Sequence, residues 1–402
     1  MKKAFFLSLC ISVHVLGLSR TGFANEVSVP SSETVTQHYV VMAHAMFTEA
    51  QAAAADLALA TDALLRSPNE ANHLHAKQAW VTAHRAYSRT EVFRFGNPNV
   101  DDWEGQVNAW PMDEGLVDYV ADGYVSDSGN PFAQKNLIAD AVVLDQALLR
   151  DMHEGAGAEA NVATGYHVIE FLLWGQDLNL TKVSAGTRSY LDFSQSQCAS
   201  VHCDRRALYL KESVDLLLAD LADMVQQWQL GQGDYAKTFM ALSVDTRLQR
   251  MLFGLGSLVY GELAGERIRV AMLAQSQEDE QSCFSDMTHF AIKENVDAVA
   301  DVFNGIVQAK GQRVAGPSLS DLLLANNAKK HQALMLAFTK AQNTVDKVAQ
   351  QAKNGLPFDQ QILLENIKAY STLELLIAQL RDQAILIESI DSQQLAMVKV
   401  MR

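Results

Sequence analysis

The run TVTQHYVVMAHAMFTEAQAAAADLALATDALLR, residues 34–66, decides the fold class of this chain. It is rich in alanine and leucine and holds neither proline nor glycine. It opens on Thr34 with Gln37 three residues later, the spacing of a capping box. One helix is therefore expected to reach about Arg66, where Ser67-Pro68-Asn69 ends it. Outward from it, a second helix is expected from Asn69 to about Arg94, then a loop from Phe95 to Met112. A short helix near Asp113 and helices over 131–152 and 162–174 complete the first half. Turn signals such as Gly96-Asn97-Pro98-Asn99 and Ser128-Gly129-Asn130-Pro131 separate them. No proline occurs from 132 to 316, and helices are expected over 205–229, 246–277, 288–310, 318–353 and 358–388. Strand-like alternation is absent over any useful length. The class is all-α, with a helical bundle over 30–180, a linker over 181–204 and a second bundle over 205–402.

The first residues read as an address. Lys2 and Lys3 precede the apolar run Ala4–Leu18, and Gly22-Phe23-Ala24 supplies a small-residue cleavage pattern after Ala24. A lipoprotein reading needs a small residue before the cysteine, and Cys10 follows Leu9. Cleavage leaves 378 of 402 residues, and because residues 1–24 hold three basic side chains and no acid, the formal charge moves from −15 to −18. So acidic a chain repels phosphate backbones and anionic lipid, which argues against nucleic-acid and membrane-surface roles and favours cations. No later apolar stretch has the length of a membrane span, so an integral membrane protein is not expected. Export permits a disulfide: Cys198 and Cys203 are close enough to close a short loop, leaving Cys283 over or in competition.

The chemistry concentrates in Gly165-Tyr166-His167-Val168-Ile169-Glu170-Phe171-Leu172-Leu173-Trp174-Gly175. At helical pitch His167 and Glu170 share a face one turn apart, where an imidazole and a carboxylate can pair, share a proton or hold a metal ion. Their neighbours are apolar almost all round, so the helix should be buried, and a buried carboxylate there needs a partner. A satisfied core pair is the plainer reading; the apolar setting and flanking glycines favour a functional site.

This segment resembles the Gly-x-His-x-x-Glu signature of the imelysin family. Five further stretches resemble its iron-regulated protein A branch: Thr90–Pro98, Asp101–Gly105, Val107–Gly115, Gly261–Arg267, and Ser282–His289, the last departing at Met287, where a polar residue is expected. The resemblance spans essentially the whole mature chain. It implies two helical bundles with the site near their junction, and a periplasmic or surface protein tied to iron supply. It also implies a peptidase label that the residues support poorly: His153-Glu154 is followed by Gly155-Ala156-Gly157, and Phe171 stands where an inverted zinc motif needs histidine.

Further ligands must come from elsewhere. Trp80, His84, Tyr87, Glu91 and Arg94 line one helix face, and Glu91, within a family-like stretch, is the expected third ligand beside His167 and Glu170. His84 is expected to be exposed or packed. Arg94 is expected to line the site, or to pair with Glu91 as an i,i+3 neighbour. Trp110, Asp113 and Glu114 close the 95–114 loop; Asp113 or Glu114 offers oxygen ligands or stabilises the next helix N-terminus. Glu262, Glu266 and Arg269 would share a helix face, and family likeness makes Glu266 and Arg267 candidates for the far wall.

Mixed imidazole and carboxylate ligation suits a divalent iron, zinc or manganese ion better than copper(I). The expected function is a periplasmic, non-catalytic metal-binding protein of iron uptake or homeostasis, taking a metal or an iron-containing ligand and working with iron-transport components. The alternatives are a metallopeptidase and a small-ligand or polysaccharide-binding protein. Export predicts Asn25 as the mature N-terminus; mass-spectrometric sequencing that begins elsewhere would refute the cleavage assignment.

Overall fold

The computed structural model describes residues 29–124, 130–140, 142–178 and 185–397. The expected signal segment 1–24, the Ser128-Gly129 turn and the first residues of the 181–204 connection lie outside them. The first half runs α1 (Ser32–Arg66), α2 (Glu70–Ser88), a 3-10 turn (Arg89–Phe93), α3 (Pro98–Asn108), α4 (Glu114–Val117), α5 (Gln146–Met152) and α6 (Tyr166–Trp174). The second runs α7 (Cys203–Gln227), α8 (Asp234–Ala241), α9 (Val244–Ser257), a π-helix (Leu258–Val270), α10 (Ala271–Ala274) and α11 (Thr288–Phe303). A hairpin of β1 (Ile306–Ala309) and β2 (Gln312–Ala315) follows. Then come α12 (Leu319–Asn326), α13 (Ala328–Lys353), α14 (Phe358–Gln361), α15 (Ile367–Glu388) and α16 (Ser392–Ala396). The protein is all-α apart from that hairpin.

The helix α1 forms as expected, but it begins earlier. Ser31 is its N-cap, its side chain accepting from the Thr34 amide at 3.2 Å, while Gln37 donates to Glu33 at 3.5 Å; the Thr34–Gln37 box is not made. At 35 residues, about 52 Å by its rise per residue, α1 is long enough to serve two cores. Val35, Tyr39, Met42 and Phe47 join one, with Phe93, Trp228, Phe239 and the helices from α9 onward. Ala50, Ala54, Leu57 and Leu64 join the other, with α2, α6 and Tyr209–Leu221 of α7. The cores therefore do not part at 181–204, because α1 and α7 each contribute to both.

Elsewhere the differences from expectation have local causes. The described residues of 131–145 form turns rather than helix: Asn136 takes a left-handed φ of 50° and donates its amide to Gly115 at 2.8 Å, and Leu137 donates to Leu116 at 2.8 Å. Arg205 then binds the carbonyls of Leu137, Ile138 and Val142, so the segment's backbone groups find partners outside any helix. The expected 288–310 helix stops at Phe303 because Gly305 turns at φ 67°. Lys310 and Gly311, at φ 49° and 70°, form the two-residue turn that joins antiparallel β1 and β2. The expected 246–277 helix loosens into π turns over Leu258–Val270. In the 95–112 loop, Pro98 sits in the first turn of α3, where its missing N–H matters least. Cys198 and Cys203 are disulfide-bonded and Cys283 is free. Among the described residues no helix is long and apolar enough to cross a membrane.

Every residue of α6 is buried, as its sequence predicts. Gly165 begins it at φ 90°, with the Val107 carbonyl oxygen 2.5 Å from where a Cβ would stand. Replacing Gly165 by Ala should thus lower stability by roughly 2–4 kcal/mol, combining backbone strain with overpacking. Gly231→Ala, at φ 75° with open space around it, should cost only about 1–2 kcal/mol. Urea denaturation of both variants measures the difference; equal losses would remove the contact with α3 as the reason for glycine at 165.

Candidate functional site

Helical pitch brings His167 and Glu170 together on α6, with Nδ1 and Oε2 sharing a hydrogen bond of 2.9 Å. The other oxygen, Oε1, accepts from the Ser285 amide at 3.0 Å and from its hydroxyl at 2.6 Å. Both oxygens of Glu170 are thus engaged, and the ring is fixed through Nδ1. Its Nε2 is buried and has no hydrogen-bond partner among the described residues. Burial drives the His167 pKa down to about 3 and that of Glu170 up to about 8, Ser285 opposing the latter, so the pair is neutral near pH 7.

His84 meets the His167 ring edge-on at 5.3 Å between centroids and stacks on Trp80 at 4.8 Å. It is buried rather than exposed, and its Nε2 bonds Asn108 Oδ1 at 3.1 Å. Asn108 in turn points its amide at Glu91 and Glu104, 3.4 Å from each. A polar path therefore runs from the imidazoles to a group of buried charges.

Glu91 stands at the centre of that group, on the 3-10 turn rather than on α2. Arg267 grips both of its oxygens, Nη1 to Oε2 at 3.0 Å and Nη2 to Oε1, and Asn295 donates to Oε2 at 2.8 Å. Burial works to raise the Glu91 pKa, but the Arg267 charge and these hydrogen bonds overcome it and hold the carboxyl below its usual range. Glu91 is committed to Arg267 and has no oxygen to spare for a metal. Arg267 also donates Nε to Glu262 at 2.9 Å, so it lies inside the protein and not on a cleft wall. Arg94 pairs with Asp101 at 3.0 Å, Glu104 at 3.2 Å and Glu262 at 3.7 Å, and not with Glu91.

Arg94, Trp110 and Glu266 line one cleft of about 450 Å³, together with Asp101, Asp102, Glu104, Glu262 and Asp279. It is strongly acidic. Burial pushes Glu104 up to about 7, against the pull of Arg94. Asp113 lines a neighbouring cleft of about 500 Å³ that shares Pro111 and Asp279 with the first. Its carboxylate holds Asn130 and the Tyr124 hydroxyl and makes no cap bond to α4. Glu114 is buried, accepts from Gln176, and is pushed up to about 8 by burial. The sequence reading did not name Ser285, Asn108, Glu104, Glu262 and Asn295 as site residues; all but Asn295 lie within the family-like stretches, which was the signal they carried. Among the described residues no three His, Cys, Asp or Glu side chains are arranged to hold a metal ion directly.

The sequence pattern described as Imelysin, a peptidase family by name, matches residues 43–387. Iron-regulated protein A of Synechococcus elongatus is 31% identical over 112 residues, a span of 27% of this chain and 27% of the relative. Two solved structures share the fold at low identity. An iron-regulated protein A precursor from Parabacteroides distasonis has a TM-score of 0.66 and 15% identity, over 90% of this chain and 96% of that one. An imelysin-like protein from Psychrobacter arcticus has a TM-score of 0.55 and 14% identity, over 93% and 98%.

The buried groups fix how stability should vary with pH. Carboxyls raised to about 7 or 8 (Glu104, Glu114, Glu170, Asp286) stay protonated when folded while the unfolded chain ionises near 3.8 to 4.5, so their contribution fades as pH climbs from about 4.5 to 8. Histidines lowered to about 3 or 4 (His73, His84, His167, His289) act in the opposite sense, and their contribution is lost as pH falls below 6.5. The two sets oppose each other between about 4.5 and 6.5 and act alone outside that window. Melting temperature in chelator should therefore be flat between them, lower at pH 8 and lower below pH 4.5; a rise from pH 6 to 8 would contradict these burial assignments.

Proposed function

The chain belongs to the imelysin family, and we propose that it is a non-catalytic, iron-associated protein of the periplasm that takes a metal ion or an iron-containing ligand at His167. The observation that carries this reading is the His167 ring itself. Its Nδ1 is fixed by Glu170, Glu170 is fixed by Ser285, and Nε2 is left buried and unpartnered. A carboxyl group behind a histidine is the usual means of orienting a metal-ligating ring, and binding here would release the proton that keeps Glu170 neutral. Residues that would hold a metal are therefore His167 through Nε2, with Glu170 as its positioning group rather than a ligand. Glu91 does not fit the role of third ligand, because Arg267 already takes both its oxygens. The remaining ligands would come with the bound species. A metal at this point would supply an open coordination position.

The acidic cleft beside this group supports cation attraction, as does the formal charge of −15. A name in iron regulation belongs to the Synechococcus relative, and its extension to this chain is part of the proposal, as are export to the periplasm and work beside iron-transport components. Peptidase chemistry is disfavoured, since a metal-bound water needs a base with a free oxygen, and both oxygens of Glu170 and of Glu91 are engaged.

Calorimetric titration of the exported chain with ferrous, zinc and manganese salts and with a ferric chelate tests the reading. Wild type should bind at least one of them and His167→Ala none, and the variant's metal-free stability should fall by roughly 1–3 kcal/mol, because Glu170 Oε2 loses its partner while Ser285 still holds Oε1. If no salt or chelate binds and His167→Ala melts far earlier, the pair is structural. Hydrolysis of a peptide library that disappears in His167→Ala would instead establish the peptidase.

A further inference from the structure

Cys198 and Cys203, five apart in sequence, are joined outside both apolar cores. The loop between them is held without that bond. Arg206 Nη1 donates to Ser200 Oγ at 3.0 Å and to the Val201 and Asp192 carbonyls at 3.3 Å each, while Nε and Nη2 grip Asp118 at 2.6 and 2.8 Å. So short a ring also removes little freedom from the unfolded chain. Stability alone gives weak reason for the disulfide.

The two cysteines differ in what surrounds them. Cys198 is exposed, as are the four residues after it, whereas Cys203 is 2% exposed and is the first residue of α7, a 25-residue helix with no side-chain cap. An incoming thiolate therefore reaches Cys198 and not Cys203. Exchange then expels the Cys203 sulfur as an anion, at a helix end that carries the partial positive charge of its unpaired amides. Ser200 Oγ lies 3.6 Å from Cys203 Sγ. A disulfide sulfur has no proton, so the hydroxyl is the donor, and the Arg206 guanidinium at its oxygen polarises it toward the sulfur. Asp204 in the same turn is exposed, so water and salt screen its charge.

We propose that Cys198 and Cys203 form a thiol-exchange site that takes electrons from an external dithiol. One thiolate of the dithiol attacks Cys198 Sγ, the bond between the two cysteines breaks, and Cys203 leaves as a thiolate. The second sulfur of the dithiol then attacks the first, closes its own disulfide and releases Cys198. Two electrons and two protons pass to the protein, and the protonated Cys203 finds the Leu191 carbonyl 3.6 Å away as its acceptor. Oxidation by an external disulfide runs the same steps backwards. The exchange is independent of any ligand at His167.

The test treats the whole exported chain, folded, with excess reduced glutathione or with dithiothreitol, and follows with acid quenching, alkylation and peptide mass spectrometry. Glutathione should be found on Cys198 and not on Cys203, and dithiothreitol at about 1 mM should open the bond within roughly ten minutes near pH 8. The reduced chain should keep its helical circular dichroism and melt lower by roughly 5 °C or less. Ser200→Ala should slow the opening roughly three- to tenfold with an unchanged fold, because the leaving sulfur loses its donor. A bond that resists dithiothreitol until urea unfolds the chain is a structural staple and overturns the site, as does a chain that unfolds on reduction. Glutathione on Cys203, or a Ser200→Ala bond that opens at the wild-type rate, overturns it too, because the attacked and leaving sulfurs would not be the ones assigned.

Discussion

A guanidinium shut away from water must find a partner for each of its donors, and Arg267 finds them on three separate parts of the chain. It binds Glu91 on the 3-10 turn after α2, Glu262 on its own π-helix and Asn295 on α11. Breaking such a buried pair by removing one partner typically costs about 3–5 kcal/mol, because the other charge is stranded. The three segments are therefore held in register by one side chain. The same commitment decides what Glu91 can be: with Arg267 and Asn295 on its oxygens, it fixes architecture and electrostatics beside the imidazoles and gives nothing to a metal.

That division of labour leaves the imidazole end of the site to a different set of partners. The hydrogen-bonded sequence Ser285–Glu170–His167 ends in a ring nitrogen with no partner among the described residues, and both oxygens of Glu170 are engaged. The cleft lined by Asp101, Glu104, Glu262 and Glu266 adds a negative field, with Asn108 between it and His84.

What the sequence made legible was local. The spacing of His167 and Glu170 predicted their contact, the apolar neighbours predicted that α6 is buried, and the interval between Cys198 and Cys203 allowed the bond they form. What it hid depended on distant parts of the chain or on departures from α pitch. Ser285 reaches Glu170 across 115 residues. Residues 131–145 gave up a helix because Gly115, Leu116 and Arg205 offered their backbone better partners. Glu262 and Arg267, five apart, point about 140° away from each other on an α-helix, yet the π turns of 258–270 bring them to 2.9 Å. Pairing by three and four put Glu262 and Glu266 on one face, where both line the same cleft, but it missed Arg267 as the partner of Glu262.

The path of α1 and α7 decides how far the chain can be divided. Because each helix contributes side chains to both cores, neither half of the chain holds all the residues of the core it mainly builds. Cutting at the 181–204 connection would take α1 from the C-terminal core and α7 from the N-terminal one. A cut at that point would leave each half short of side chains its core uses, so the two cores depend on one continuous chain.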